Sequence, residues 1–299
     1  METSTANDEP DQPIEVLAPR EQRLPVVLAS PHSGSVYPPD LIAASRLDAH
    51  ALRRSEDSFV DELFAAGPAL GAPLLCARFA RAYLDVNREP YELDPAMFGE
   101  SLPDFVNTRS PRVQVGLGTI ARIVASGEDI YRGKLCLADA IARVERLYRP
   151  YHRALGELIE ATRQRFGYSL LIDCHSMPSM SAPHERGGRP RVDVVLGDCH
   201  GTSCHSAIIA TAQNLLAAKG YAVARNAPYA GGFTTGHYGR PRDGVHGLQI
   251  EINRSLYMDE RTISRKPFLA QLADDMRDLV AALAAIAPPL LLPLREAAE

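Results

Sequence analysis

The strongest constraint on this chain is a set of short apolar runs, each of strand length and several carrying a reactive side chain at or near one end. VVLAS leads into PHSG and His32, YSLLIDCHS carries His175, and GLQIEINRS carries Glu251 within an alternating pattern. VDVVLGD and YAVARN have the same strand character, and stretches of helical composition separate most of these runs. Such alternation predicts an α/β fold. Three reactive side chains near the ends of three strands predict one site at one edge of the sheet, where open α/β sheets place their ligands.

A chain of 299 residues that is 45% hydrophobic can bury a large core. Its net charge of -5 and pI of about 6.0 give no general attraction to nucleic acid or to anionic membrane. No run reaches the roughly 18–20 apolar residues that a membrane span needs. The nearest, LVAALAAIAPPLLLPL, is broken by three prolines. The start METSTANDEPDQP has neither a basic stretch nor an apolar one, and the five cysteines form no regular framework, so a cytoplasmic protein with reduced thiols is expected.

Residues 1–22 are rich in Pro, Glu, Asp and Gln, which predicts a flexible segment ahead of a single α/β domain over 23–287. Residues 288–299 form a proline-rich tail. SEDSFVDELFAA predicts an amphipathic helix capped by Ser55 and starting at Glu56 and Asp57. PLLCARF and RAYLDVN predict two strands, followed by a long loop to about Arg112. Helical segments are expected over 128–165 with a break near Pro150, from 201 to 218, and from about 260 to 286. Loops are expected over 177–191 and from Ala227 to Gly244, the latter suited to covering a substrate.

Two histidines and one carboxylate are the usual protein ligands of a catalytic zinc ion. His32 and His175 supply the nitrogens, although a histidine at a strand end also serves purely structural roles. No HxxE spacing follows His32, so the carboxylate comes from Asp57 or Glu56, both of which also read as first-turn acids favoured by a helix dipole. Leu248, Ile250 and Ile252 share one strand face, while Gln249, Glu251 and Asn253 share the other. A polar face on a strong strand suits Glu251 as a general base, or else a salt-bridged edge. Arg88, beside Asn87, offers a planar guanidinium for a substrate carboxylate, with a surface ion pair to Asp85 or Glu89 as the alternative. Arg240 and Arg254 are further candidates for an acidic ligand or for structural ion pairs. CHGTSCH over 199–205 lacks a second ligand pair for a structural zinc, and Cys174 points to the opposite face from His175. There is no phosphate loop and no dinucleotide glycine pattern.

SPHSG, SEDSFVDELF, RAYLDVNR, LLIDCHSMPS, NAPYAGGFTT and LQIEINRSLYM, in this order and spanning about 25–285, resemble the N-formylglutamate amidohydrolase family. The resemblance implies a three-layer α/β/α fold with a mixed, mostly parallel sheet, similar to zinc carboxypeptidases and aspartoacylases. It implies one zinc ion on His32, Asp57 and His175, with Asp57 preferred over Glu56, and Glu251 as general base. It also implies that Asn87 and Arg88 hold the substrate's α-carboxylate. Arg240, Arg254, His237 and Tyr238 are candidates for contacts to the rest of a small acidic N-acyl amino acid. The expected reaction is hydrolysis of N-formyl-L-glutamate to formate and L-glutamate in histidine breakdown, by a monomer or small homo-oligomer.

Overall fold

The apolar runs become strands because their residues are buried on both faces of a sheet. In the computed structural model, which describes residues 12–181 and 192–293, these strands are β1 (Ile14–Leu17), β2 (Val26–Ser30), β3 (Leu74–Ala77), β4 (Ser169–Met177), β5 (Val194–Gly197), β6 (Val223–Arg225) and β7 (Val245–Asn253). They form one seven-stranded sheet in the order β1-β3-β2-β4-β7-β5-β6. β3, β2, β4 and β7 run parallel, as do β5 and β6, while β1 is antiparallel to β3 and β5 to β7. The sheet is mixed and mostly parallel, as the fold class requires.

Alternation along the strands sends successive side chains to two separate cores. Leu170, Ile172 and Cys174 of β4 join Leu248 and Ile250 of β7 on one face, under helices α2 (Ser206–Ala218) and α3 (Phe268–Ala284). Val27 and Ala29 of β2 and Leu171 of β4 face the other way, onto Tyr151, Leu155 and Ile159 of α1 (Arg149–Phe166). Three layers result. Further along β4 and β7, this second face turns polar: Asp173, His175, Gln249 and Glu251 replace the aliphatic residues. Parallel pairing sets Asp173 opposite Gln249 and His175 opposite Glu251. The register alone therefore gathers part of the site.

Several segments depart from the expectations above. β1 lies inside the segment 1–22 and pairs Ile14 to Leu17 with Ala77 to Leu74, since an edge strand can be held by backbone bonds without a core of its own. At the other end, Leu291 is buried and its carbonyl accepts a bond from His246 Nε2 at 2.9 Å, so the start of the proline-rich tail docks on β7. RAYLDVN forms turns and no strand. The Asp85 N–H donates to Thr119 O at 2.7 Å, and its carboxylate accepts the Asn87 N–H at 2.8 Å, a local side-chain bond that competes with a ladder. The helix expected from Glu56 begins at Val60 after Phe59, whose φ of 67° is left-handed. Ser55 caps nothing; its hydroxyl accepts the Ala125 N–H at 3.3 Å. No break occurs at Pro150, because a π-helical turn over Val144–Tyr148 joins the helix Leu137–Arg143 to α1. α2 starts at Ser206 and α3 at Phe268, later than expected, and residues 182–191 of the loop after β4 lie outside the described residues. No helix among the described residues is long and apolar enough to cross a membrane.

Gly34 of SPHSG shows how tightly the chain after β2 is seated. A Cβ there would meet Phe79 O at 2.4 Å and Ala77 O at 2.7 Å, both backbone atoms that cannot swing aside. Gly34→Ala should therefore cost about 2 kcal/mol or more, read as a lower urea midpoint, whereas an unchanged midpoint would show that this strand exit can shift.

Candidate metal centre and active site

His32 follows the end of β2, His175 ends the apolar half of β4, and Asp57 sits in the turn before the Val60–Leu63 helix, where its N–H donates to His32 O at 3.0 Å. All three are buried. Each imidazole presents Nε2 to a carboxylate: His32 to Asp85 Oδ1 at 2.7 Å, and His175 to Asp173 Oδ1 at 2.8 Å. With a metal bound, Nε2 of each ring would donate to its carboxylate and Nδ1 would be left to ligate. The two Nδ1 atoms lie 3.1 Å apart, and Asp57 Oδ2 lies 3.2 Å from that of His175 and 3.4 Å from that of His32.

Three electron-pair donors in a buried triangle repel one another unless a cation lies among them. Tetrahedral zinc with bonds of about 2.0–2.1 Å gives ligand separations of about 3.3 Å, close to the edges seen here. The triangle fits a divalent metal. It is the one such group of His, Cys, Asp and Glu among the described residues. Asp85 and Asp173 complete the arrangement as carboxylates that orient the ligating rings. Two of these carboxyls are held ionised. Burial opposes the charge on Asp57 and Asp85, but His175, His32 and Arg81 around Asp57, and Arg88, His32 and Arg81 around Asp85, hold both well below the usual range.

Further polar groups lock the shell. Arg254 donates Nη2 to Asp57 Oδ1 at 2.8 Å, Nε to Ser176 Oγ at 3.2 Å and Nη1 to Arg54 O at 3.0 Å, so it positions the carboxylate rather than standing free for a ligand. Thr235 Oγ1 donates to Asp173 Oδ2 at 2.9 Å, and the Thr234 N–H to Asn87 Oδ1 at 2.8 Å. The glycines of NAPYAGGFTT let this loop come so near: a Cβ on Gly232 would strike the Asn87 side chain at 2.3 Å, and the Gly232 N–H reaches Gln249 Oε1 at 2.6 Å. Asp173→Ala should remove the acceptor of the His175 Nε2 proton and weaken zinc binding by about 10- to 100-fold in a competitive metal titration; an unaltered affinity would remove Asp173 from the metal shell.

A cleft of about 230 Å³ opens on this group, below the roughly 300–1,000 Å³ typical of sites for drug-sized ligands. Asn87, Arg88 and Glu251 line it together with His32 and His175. Burial pushes the Glu251 carboxyl up to about 7; His175, Arg81 and Arg254 pull it down, and the charge of Asp57 pushes it further up. Gln249 Nε2 donates to Glu251 Oε1 at 2.8 Å and orients it. Glu56 faces elsewhere, bound by Tyr37 at 2.6 Å, Arg53 at 3.1 Å and Ser58 at 2.7 Å. Arg240 is not brought to the cleft. It is exposed and pairs with Asp243 at 3.2 Å, since the turn over Pro241–Asp243 carries it away, and the Tyr238 hydroxyl instead meets His152. His205 caps α2, and burial pushes the Cys204 thiol up to about 12, so CHGTSCH assembles no centre. Sequence reasoning misses the site roles of Asp85, Asp173, Thr235 and Arg81; only Asp173, two strand positions before His175 and thus on its face, carries a readable signal.

A family model described as N-formylglutamate amidohydrolase matches residues 24–258. N-formylglutamate deformylase of Pseudomonas aeruginosa is 30% identical over 272 residues, covering 89% of this chain and 93% of its own length. The Pseudomonas putida protein of the same name is 30% identical over 248 residues, covering 82% and 86% respectively. The solved structure of N-formylglutamate amidohydrolase from Ralstonia eutropha JMP134 superposes with a TM-score of 0.84 at 38% identity, over 91% of this chain and 97% of that one. With its sheet, its cleft and its buried donor triangle in place, the chain belongs to the N-formylglutamate amidohydrolase family.

Proposed function

We propose that this chain is a zinc-dependent amide hydrolase that converts N-formyl-L-glutamate and water to formate and L-glutamate, with His32, Asp57 and His175 holding the single ion. The observation that carries this reading is the convergence of His32 Nδ1, His175 Nδ1 and Asp57 Oδ2 at a cleft that His32, His175 and Glu251 line. The relatives' printed names, deformylase and amidohydrolase, supply the substrate. Bound there, zinc supplies Lewis acidity, which polarises a carbonyl and makes water acidic near neutral pH.

The chain's own residues supply the rest. Glu251 takes the proton from the attacking water and returns it to the amide nitrogen as the C–N bond breaks, so formate and a free amine leave. Its elevated pKa suits both steps. Arg81 lines the cleft and pairs with Asp85 at 2.8 Å and with Asp57 at 3.6 Å, so its positive charge steadies the two carboxylates beside the histidines. Arg88 is fixed before substrate arrives, since its Nε donates to Leu117 O at 2.8 Å and its Nη1 to Asn87 O at 2.6 Å. With Asn87 it holds the α-carboxylate at a set offset from the metal ligands, and that positioning lowers the barrier without chemistry of its own. The cytoplasm suits a protein whose five cysteines are all unpaired thiols.

Formate release from N-formyl-L-glutamate by the purified protein tests this reading: release should stop on chelation and return with zinc, and no release with any divalent metal would refute it. Glu251→Gln should lower kcat by at least about a hundredfold while bound zinc is retained. The working form of Glu251 is the carboxylate, so kcat/KM should fall as pH falls through its pKa. The metal's positive charge lowers that pKa further, placing the acid limb at or below about 7. A limb that persists unchanged in a partly active Glu251 variant would assign it to another group.

A further inference from the structure

Four arginines line the cleft, and three are already committed. Arg81 pairs with Asp85 at 2.8 Å, Arg254 is bound to Asp57, and Arg88 is tethered to backbone carbonyls with Asp85 3.6 Å away. Arg112 differs. It lies exposed on the short helix Pro111–Gln114, it lines the cleft, and no carboxylate among the described residues pairs with it.

Its placement relative to the metal centre is nonetheless fixed. The Arg112 carbonyl accepts the Leu117 N–H at 2.8 Å, and the Leu117 carbonyl accepts Arg88 Nε at 2.8 Å, so the turn that bears Arg112 is docked on Arg88. Arg88 Nη1 donates to the Asn87 carbonyl, and the Asn87 side-chain amide lies 3.1 Å from the His175 ring. The two guanidinium charges feel each other: burial, and then the charges of Arg81 and Arg112, push the Arg88 pKa down against the pull of Asp85. Arg112 therefore adds a positive charge at the cleft that no carboxylate among the described residues neutralises, an arrangement suited to an anionic ligand. Beside them, Leu117, Ala121 and Ile123 give the cleft an apolar wall. A short methylene chain with a carboxylate at each end matches that sequence of surfaces.

We propose that Arg112 is the specificity residue for the side chain of the substrate, taking the second carboxylate of a dicarboxylic N-acyl amino acid while Asn87 and Arg88 take the first. The assignment rests on the hydrolase reading above. It explains why an arginine outside the metal shell stands at the cleft without a carboxylate partner among the described residues, and it gives the site a means to reject neutral side chains of equal size.

The test compares N-formyl-L-glutamate with N-formyl-L-glutamine, which has the same shape and no side-chain charge, in wild-type protein, R112A and R112K. The wild type should prefer the glutamate compound. R112A should lose about 10- to 100-fold in kcat/KM on it, mostly through KM, with a loss on the glutamine compound several times smaller, so that the preference collapses. R112K should recover part of the preference, because a point charge replaces the planar one. An equal loss on both substrates, or an unchanged preference in an active R112A enzyme, would overturn the assignment alone. Absence of formate release by the wild type from either compound would overturn the hydrolase reading and the assignment with it.

Discussion

Two histidine nitrogens and a carboxylate oxygen, pressed to within 3.4 Å of one another by three buried residues, are the interaction on which the rest of the structure turns. Buried donors of this kind are costly unless a cation compensates them, and they keep their protonation states only if their outer atoms are bound. Asp85 and Asp173 meet that need by taking the Nε2 protons, and Arg81 and Arg254 offset the anionic charge of Asp57. Thr235, arriving on the Phe233–Tyr238 helix more than sixty residues downstream, completes Asp173. The outer shell thus draws on the exits of β2 and β3, the start of the Val60–Leu63 helix, strands β4 and β7, the Arg254–Tyr257 helix and the glycine loop before the Phe233–Tyr238 helix. A fold that failed to close any one of these connections would leave the triangle without its support.

The sheet does most of this positioning through register. A strand alternates its side chains, so Leu171 can face α1 while Asp173 and His175, further along the same face, enter the cleft. The parallel partner β7 repeats the scheme with Gln249 and Glu251. One slip of register would send Glu251 into the aliphatic core under α2 and α3, which Leu248 and Ile250 fill. The apolar and catalytic halves of each strand therefore enforce one another.

The period-two pattern makes His175 and Glu251 legible in sequence, and the short apolar run before it marks His32. Asp57 is harder. Sequence does not separate it from Glu56 while both are expected in a helix; in the structure they occupy a turn, and adjacent turn residues diverge, Glu56 to Arg53 and Tyr37 and Asp57 to the histidines. Asp85 is legible only as a surface partner of Arg88, because its role depends on the chain folding back upon His32, 53 positions earlier. RAYLDVN reads as a strand from its apolar alternation, yet the bonds made by Asp85 and by Thr119 bend it into turns. Arg240 and Arg254 look alike in sequence and have opposite fates, one paired on the surface and one buried against Asp57. Long-range partners decide such cases, and local composition does not record them.

The most direct measurement of the metal centre is X-ray diffraction from crystals grown with zinc, collected on either side of the zinc absorption edge. A single anomalous peak is expected at bonding distance from His32 Nδ1, His175 Nδ1 and Asp57 Oδ2, with Glu56 turned away. A peak at the cysteine and histidine pairs over 199–205, one bound through Nε2 of either histidine, or none in the triangle at saturating zinc would contradict the metal assignment.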